Sequence, residues 1–177
     1  CEKIDHVVVT TDSKKIEDIV LNLFPKTVII HRSKELSSDS ATSEGALEHA
    51  ILTLDSRIDF KDVIFVQATS PLTTNKDLSN MLDLLECNDS VMFYTEDYGL
   101  FQEIHDLKRP RVPRQQRKAL TREAGNAWAF KKDGFLTSQC RLFGRIGLLK
   151  IELSRSYEID EQGDIPFVEC FLSKVAN

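Results

Sequence analysis

"VIFVQATSPLTTNKDLSNMLDLL", residues 63–85, decides the fold. Four apolar residues without alternation open it, the pattern of a strand buried on both faces. The turn-forming run Gln67–Thr74 closes that strand, and Leu78, Met81, Leu82 and Leu85 follow at the spacing of one helix face. Strand, turn and amphipathic helix make half of a parallel crossover unit.

The same alternation extends outward. Upstream, "HVVVT" at residues 6–10 is a β-branched strand, and Asp12 stands at the N-cap position of a helix carrying Ile16, Ile19, Val20 and Leu23 and ended by Pro25. "TVII" at 27–30 is a second short strand, and Leu47, Ala50, Ile51 and Leu54 mark the face of a second helix. Downstream, "SVMFY" at 90–94 is a fourth strand. The sequence therefore predicts an α/β domain of Rossmann-like type, with a mostly parallel sheet, helices on both faces and right-handed crossovers. Ligands bind such sheets at the carboxyl ends of the strands, which singles out Thr11-Asp12, Ser37–Ser43 and Gln67–Pro71.

After Tyr94 the pattern changes. Residues 95–127 are polar and irregular, and are read as an excursion from a single domain over 1–177. A strand at "AWAF" (127–130), a helix starting at Asp133 and a last strand near "GLLKIEL" (147–153) follow. The final helix is predicted to be capped by Asp164, with Pro166 in its first turn and Phe167, Val168, Phe171, Leu172 and Val175 on one face.

Composition narrows the function classes. Hydrophobic residues make up 41% and charged residues 29% of the 177, as in a globular protein rather than a disordered one. Cys1, Cys87, Cys140 and Cys170 are scattered without a C-x-x-C pair, so the sequence points to no zinc site or disulfide framework and to a reducing compartment. A net charge of -5 argues against a surface devoted to nucleic acid. No apolar run approaches the roughly 20 residues of a membrane span, and no signal-peptide profile is present. A soluble, cytoplasmic protein is the expectation.

Four features could carry chemistry. In "LSSDSATSEGALEHA" (36–50), short hydroxyl side chains crowd around Asp39. Turns and an N-cap explain many of them, while hydroxyls and free amides at a helix start, with Arg32 upstream, also suit a polyhydroxylated or anionic ligand. In "QATSP", Gln67 offers donor and acceptor near the ligand edge, although Pro71 with a Ser70 or Thr69 cap accounts for the turn. The stretch 108–118 holds Lys108, Arg109, Arg111, Arg114, Arg117 and Lys118 without an acid. It reads as a solvated loop, an import signal, a nucleic-acid patch or a grip on an anionic substrate. In "SYEID", Glu158 and Asp160 share one face of an extended segment, either as solvated acids or as carboxylates around Mg²⁺. No G-x-x-x-x-G-K-[ST] or G-x-G-x-x-G phosphate loop occurs.

The order "VVVTTDS", "HRSKELSSDSATSEGAL", "VQATSPL", "RPRVPRQ", "RSYEIDEQGD" resembles the acylneuraminate cytidylyltransferases, or CMP-sialic acid synthetases, over nearly the whole chain. The resemblance implies transfer of CMP from CTP to a nine-carbon 2-keto sugar acid with release of pyrophosphate. It implies that Arg32 and Ser43 meet the nucleotide, with Ser38 and Ser40 shaping their loop, and that Gln67 lies near the reacting centre. Arg114, Arg111 and Gln115 would face the sugar carboxylate or a phosphate, and Glu158 and Asp160 would hold Mg²⁺. Kdo, legionaminate or pseudaminate are alternative sugars, and a non-catalytic relative that binds a sugar acid or partner is the alternative class.

The sequence departs from that family at four places. The family's opening strand and phosphate-cradling loop have no counterpart in these 177 residues; Glu158 replaces the usual aspartate; Thr73 stands where many bacterial relatives have arginine; and "GNAW" replaces an Asn-Gly. A strand missing from within a sheet leaves unpaired edges. The expectation is therefore a fragment or processed chain that acts as a homodimer, with 95–127 reaching toward the other subunit.

Overall fold

The computed structural model describes residues 1–99, 108 and 110–175. Its elements are β1 (Val8–Thr11), α1 (Lys14–Leu23), β2 (Val28–His31), α2 (Ser43–Asp55), β3 (Asp62–Val66), α3 (Asn75–Leu85), β4 (Ser90–Asp97), β5 (Leu120–Lys131), α4 (Lys132–Ser138), β6 (Ile146–Lys150) and α5 (Ile165–Val175). The predicted alternation of strands and helices is present. Among the described residues β1 and β2 form a two-stranded parallel sheet in the register Val8 to Val28 through Thr11 to His31, and the order β3-β5-β4-β6 makes a second sheet.

The chain divides into two compact units. The first comprises Cys1–Phe65, Thr74–Val91 and Trp128–Gly147; the second comprises Val66–Thr73, Met92–Ala127 and Leu148–Asn177.

In the first unit the core gathers around Met81, Leu85, Val91, Phe130 and Phe135, all at most 1% exposed, with the two phenylalanine rings stacked at 4.8 Å. α2 buries Ala46, Leu47, Ala50 and Ile51, so the predicted face is the packed one, with Leu54 left at its half-exposed margin. Thr74 and Asp77 close a capping box at the start of α3, each side chain bonding the other's backbone N–H. α1 differs from expectation at both its cap and its face. Ser13, not Asp12, is the N-cap, because the Ser13 N–H first turns back to the Thr11 hydroxyl and the Ser13 hydroxyl then accepts from Ile16 N–H. Ile16, Ile19, Leu23 and Phe24 are 47–64% exposed. They have the helical spacing of a core face, but among the described residues the neighbouring sheet of β1 and β2 is two strands wide.

In the second unit the region read as irregular contains regular structure at both ends. β4 continues to Asp97, and β5 begins at Leu120 rather than Ala127. The first four residues of β5 are exposed, so they carry no apolar run by which a sequence pattern would reveal a strand. Residues 100–107 and Arg109, part of the predicted excursion and basic stretch, lie outside the described residues. Asp164 also acts differently from expectation. It accepts the N–H groups of Asp160 and Glu161 at 3.0 and 2.8 Å, and so closes the short 3₁₀ turn Gln162–Asp164 that precedes α5. On α5, Val168 is buried and Phe171 stacks on Tyr157, whereas Phe167 is 68% exposed.

Candidate active site

The second unit draws the "QATSP" turn and the "YEID" segment together. Gln67 N–H donates to the carbonyl of Asn126 on β5, Ser70 N–H to Gln67 O at 3.1 Å, and Thr73 N–H to Ser70 O, so the chain folds back twice. Leu72, fully buried, anchors the turn. The acid segment is then tied to this turn twice. Ile159 N–H donates to Thr69 O at 2.8 Å, and the Ser70 hydroxyl donates to Glu158 Oε1 at 2.7 Å. Ser70, 2% exposed, is therefore more than a turn former: its hydroxyl orients a carboxylate distant in sequence.

Gly125 completes the cluster. Gln67 Nε2 donates to its carbonyl at 2.7 Å, and a Cβ built there would lie 2.8 Å from Glu158 Oε2 and 3.2 Å from Gln67 Nε2. A side chain at this position would displace the Glu158 carboxylate from where it lies. A glycine inside a strand often marks such a close approach, so the signal was present in "REAGNAW" without saying what approaches. Beside it Asn126 is 1% exposed; its Nδ2 donates to Arg155 O at 3.1 Å, while its Oδ1 is buried without a hydrogen-bond partner among the described residues.

Glu158 is half-buried and Asp160 exposed, one on each side of the pinned Ile159. Among the described residues no group of three or more His, Cys, Asp or Glu gathers as an all-protein cation cage. The donor set fits Mg²⁺, which is commonly held by one or two carboxylates with waters and phosphate oxygens. The Ser70 bond leaves Glu158 Oε2 over the bare backbone of Gly125.

The candidate residues of the basic stretch lie at the surface of this unit. Arg111, Arg114 and Gln115 are exposed, and the Arg114 guanidinium sits 5.8 Å from the centroid of the Tyr98 ring. Arg117 is spent on the loop itself, donating to Val112 O and Tyr98 O at 2.8 and 3.1 Å.

The first unit carries the hydroxyl-rich loop. Arg32 follows β2, its N–H donating to Thr11 O at 3.0 Å. The hydroxyls sort by task. Ser33 accepts from Leu36 N–H, Ser38 donates to Glu35 O and meets Ser40 at 3.3 Å, and Thr42 caps α2 by accepting from Gly45 N–H. Ser43, the first residue of α2, is exposed. Arg32 Nε and Ser37 Oγ are shielded from solvent yet have no hydrogen-bond partner among the described residues. Buried polar groups in native proteins are normally satisfied, so each of these atoms has hydrogen-bonding capacity to spare.

The first turn of α2 is held from the far end of the chain. Arg141 Nε donates to Glu44 Oε1 at 2.7 Å, its guanidinium lies 4.5 Å from the Trp128 ring centroid and 5.2 Å from that of Phe65, and Gln139 Nε2 donates to Glu48 Oε1. The Arg141 hydrogen bond holds the Glu44 carboxyl below the usual carboxylate range, against the opposing effect of burial. A depressed folded-state pKa contributes stability above the unfolded value, and that stability disappears as pH falls through the folded value. Glu44→Gln is thus expected to melt lower than wild type near neutrality, with the gap closing below the usual carboxylate range. Thermal melts at stepped pH check this, and a gap that stays constant contradicts it.

A family model described as Cytidylyltransferase matches residues 1–174. Solved structures share the fold at low identity. A 4-diphosphocytidyl-2C-methyl-D-erythritol synthase from Anaerococcus prevotii aligns with a TM-score of 0.64 at 17% identity, covering 97% of this chain and 83% of that one. A CMP:2-keto-3-deoxy-manno-octonic acid synthetase complexed with CTP aligns with a TM-score of 0.66 at 11% identity, covering 97% and 82%. The α/β class with a mostly parallel sheet and helices, expected from the sequence, is the fold of these structures. Comparison with curated proteins finds no match. No described helix is long and apolar enough to cross a membrane.

Proposed function

The chain belongs to the cytidylyltransferase family, and on that premise we propose that it transfers CMP from CTP to the anomeric hydroxyl of a 2-keto sugar acid. The observation that carries this reading is the Glu158 carboxylate, oriented by Ser70 against Gly125 with Asp160 two residues further along its segment. The hydroxyl oxygen bonds to the α-phosphorus as the α–β anhydride breaks; pyrophosphate leaves and the hydroxyl proton is released. Catalysis of this kind rests on positioning and on charge placed against the phosphates.

Each candidate has one task. Arg32 and Ser43 bind the nucleotide, the orphaned Arg32 Nε gaining a partner, while Ser38 and Ser40 keep the loop in shape. Gln67, its amide nitrogen fixed by Gly125, presents its acceptor end near the reacting group. Arg114, with Arg111 and Gln115, receives the sugar carboxylate, a pairing that guanidinium groups make through two parallel bonds. Glu158 and Asp160 hold Mg²⁺, which when bound supplies positive charge to phosphate oxygens. A nine-carbon N-acylneuraminate is the first choice of acid. The eight-carbon acid in the name of one structural relative makes Kdo the second. A homodimer belongs to the same reading.

Pyrophosphate release from CTP, Mg²⁺ and each of these acids tests the proposal, beside Asp160→Asn. Release with one acid, falling about a hundredfold in the mutant, is the expected result. No release with any acid, from a chain shown to be folded, overturns transfer by this chain and leaves a fragment of an enzyme or a non-catalytic relative.

A further inference from the structure

The strap across the first turn of α2 has no part in the chemistry above, and we propose that Arg141 is a positioning residue that sets the nucleotide loop for CTP without touching it. The inference rests on the cytidylyl reading and deepens it.

Three observations carry it. First, the strap lies on one face of α2 over its first turn and a half: Glu44 and Glu48, four residues apart, are both gripped from the α4 exit, by Arg141 and Gln139. Ser43 is the residue before Glu44, and the Thr42 cap the one before that. Second, the grip is rigid at its root. Phe65 and Trp128 stack at 5.5 Å with their planes 16° apart, and the Arg141 guanidinium lies over both rings. Trp128 is 5% exposed and the Arg141 side chain 16%, so the cation is held on a buried platform instead of waving in solvent. Third, the loop it stabilises is otherwise tied mostly to itself, by the short bonds of Ser33, Ser38, Ser40 and Thr42. A loop with only local bonds has many orientations on its helix. A fixed first turn reduces them, and preorganisation of this kind lowers the cost of binding. Gln139, a non-glycine residue with a left-handed backbone at φ 53°, ends α4 and directs the chain back toward α2.

An arginine is required for this task. Lysine keeps the charge but cannot lie flat on the rings while donating in a fixed direction to Glu44.

CTP titrations by calorimetry on wild type, Arg141→Ala, Arg141→Lys, Ser43→Ala and the Arg141→Ala/Ser43→Ala double mutant test the proposal, with KM values for both substrates. Trp128, the single tryptophan, reports the platform by fluorescence. Arg141→Ala is expected to shift that emission, to weaken CTP binding about tenfold, and to leave KM for the sugar acid unchanged. Arg141→Lys falls in between. The double mutant loses little beyond the larger single loss, because both changes act through one loop. Unchanged CTP affinity in Arg141→Ala, additive losses, or equal weakening toward both substrates overturns the positioning role and leaves the cytidylyl reading standing. A folded wild type that binds no CTP overturns both.

Discussion

Replacing Glu158 by alanine is expected to lower pyrophosphate release about a thousandfold while the chain stays folded. The magnitude follows from where the carboxylate sits. Asp160 is exposed, so water can take up part of its work when it is lost. Glu158 is half-buried and aimed by Ser70 Oγ at 2.7 Å, and removal of a preoriented charged group at a phosphoryl-transfer centre costs on the order of 10² to 10³ in rate. The fold survives because the segment is also pinned through its backbone, from Ile159 N–H to Thr69 O. Gly125→Ala is the companion change: its new Cβ would meet Glu158 Oε2 at 2.8 Å, so the carboxylate must swing away although every acid is retained. It should lose rate in the same assay, less severely than Glu158→Ala, since a flexible side-chain end can yield. Full activity in Glu158→Ala, with circular dichroism unchanged, would remove this residue from the site.

Gly134→Ala is expected to lower stability by about 2 kcal/mol, against the usual rule that alanine in place of a helical glycine helps by up to about 1 kcal/mol. A Cβ at this position in α4 would fall 2.1 Å from Cε2 of Phe143 and 2.5 Å from its Cζ. Phe143 cannot slide away easily, because its N–H donates to the buried Ser90 hydroxyl at 3.1 Å and its carbonyl accepts from that hydroxyl at 2.8 Å. The ring must tilt off its packed position or α4 must shift. For a chain of this length the change corresponds to a drop of roughly 4 to 8 °C in Tm. A thermal melt decides the matter: an unchanged or raised Tm shows that the ring yields freely and that propensity wins.

Much of the candidate site was legible because the residues concerned advertise a type. The acids of "YEID" and the hydroxyls of 37–43 stand out by chemistry, and the turn at Gln67–Thr73 stands out by Pro71 and its small neighbours. Ser70 and Gly125 do not advertise themselves in the same way. Each looks like a turn or strand residue, and its role exists only because Glu158, far along the chain, comes to lie against it. Arg141 was invisible for the same reason. A lone arginine in "SQCRLFG" carries no periodicity or spacing that names its partners Glu44 and Trp128. Pattern also misled where burial is one-sided. The α1 face has core spacing and is exposed, while the exposed start of β5 has no pattern and is a strand.

Local sequence by itself determined the alternation of strands and helices, the caps within a residue or so, and the loops that follow the strands. Those depend on hydrophobic periodicity and turn chemistry, which act over a few neighbouring residues. Only the tertiary structure decided that Ser70 aims Glu158, that Gly125 leaves room for it, and that Arg141 on Trp128 steadies the start of α2. Those contacts join residues far apart in the chain, and packing, not local pattern, selects which of them meet.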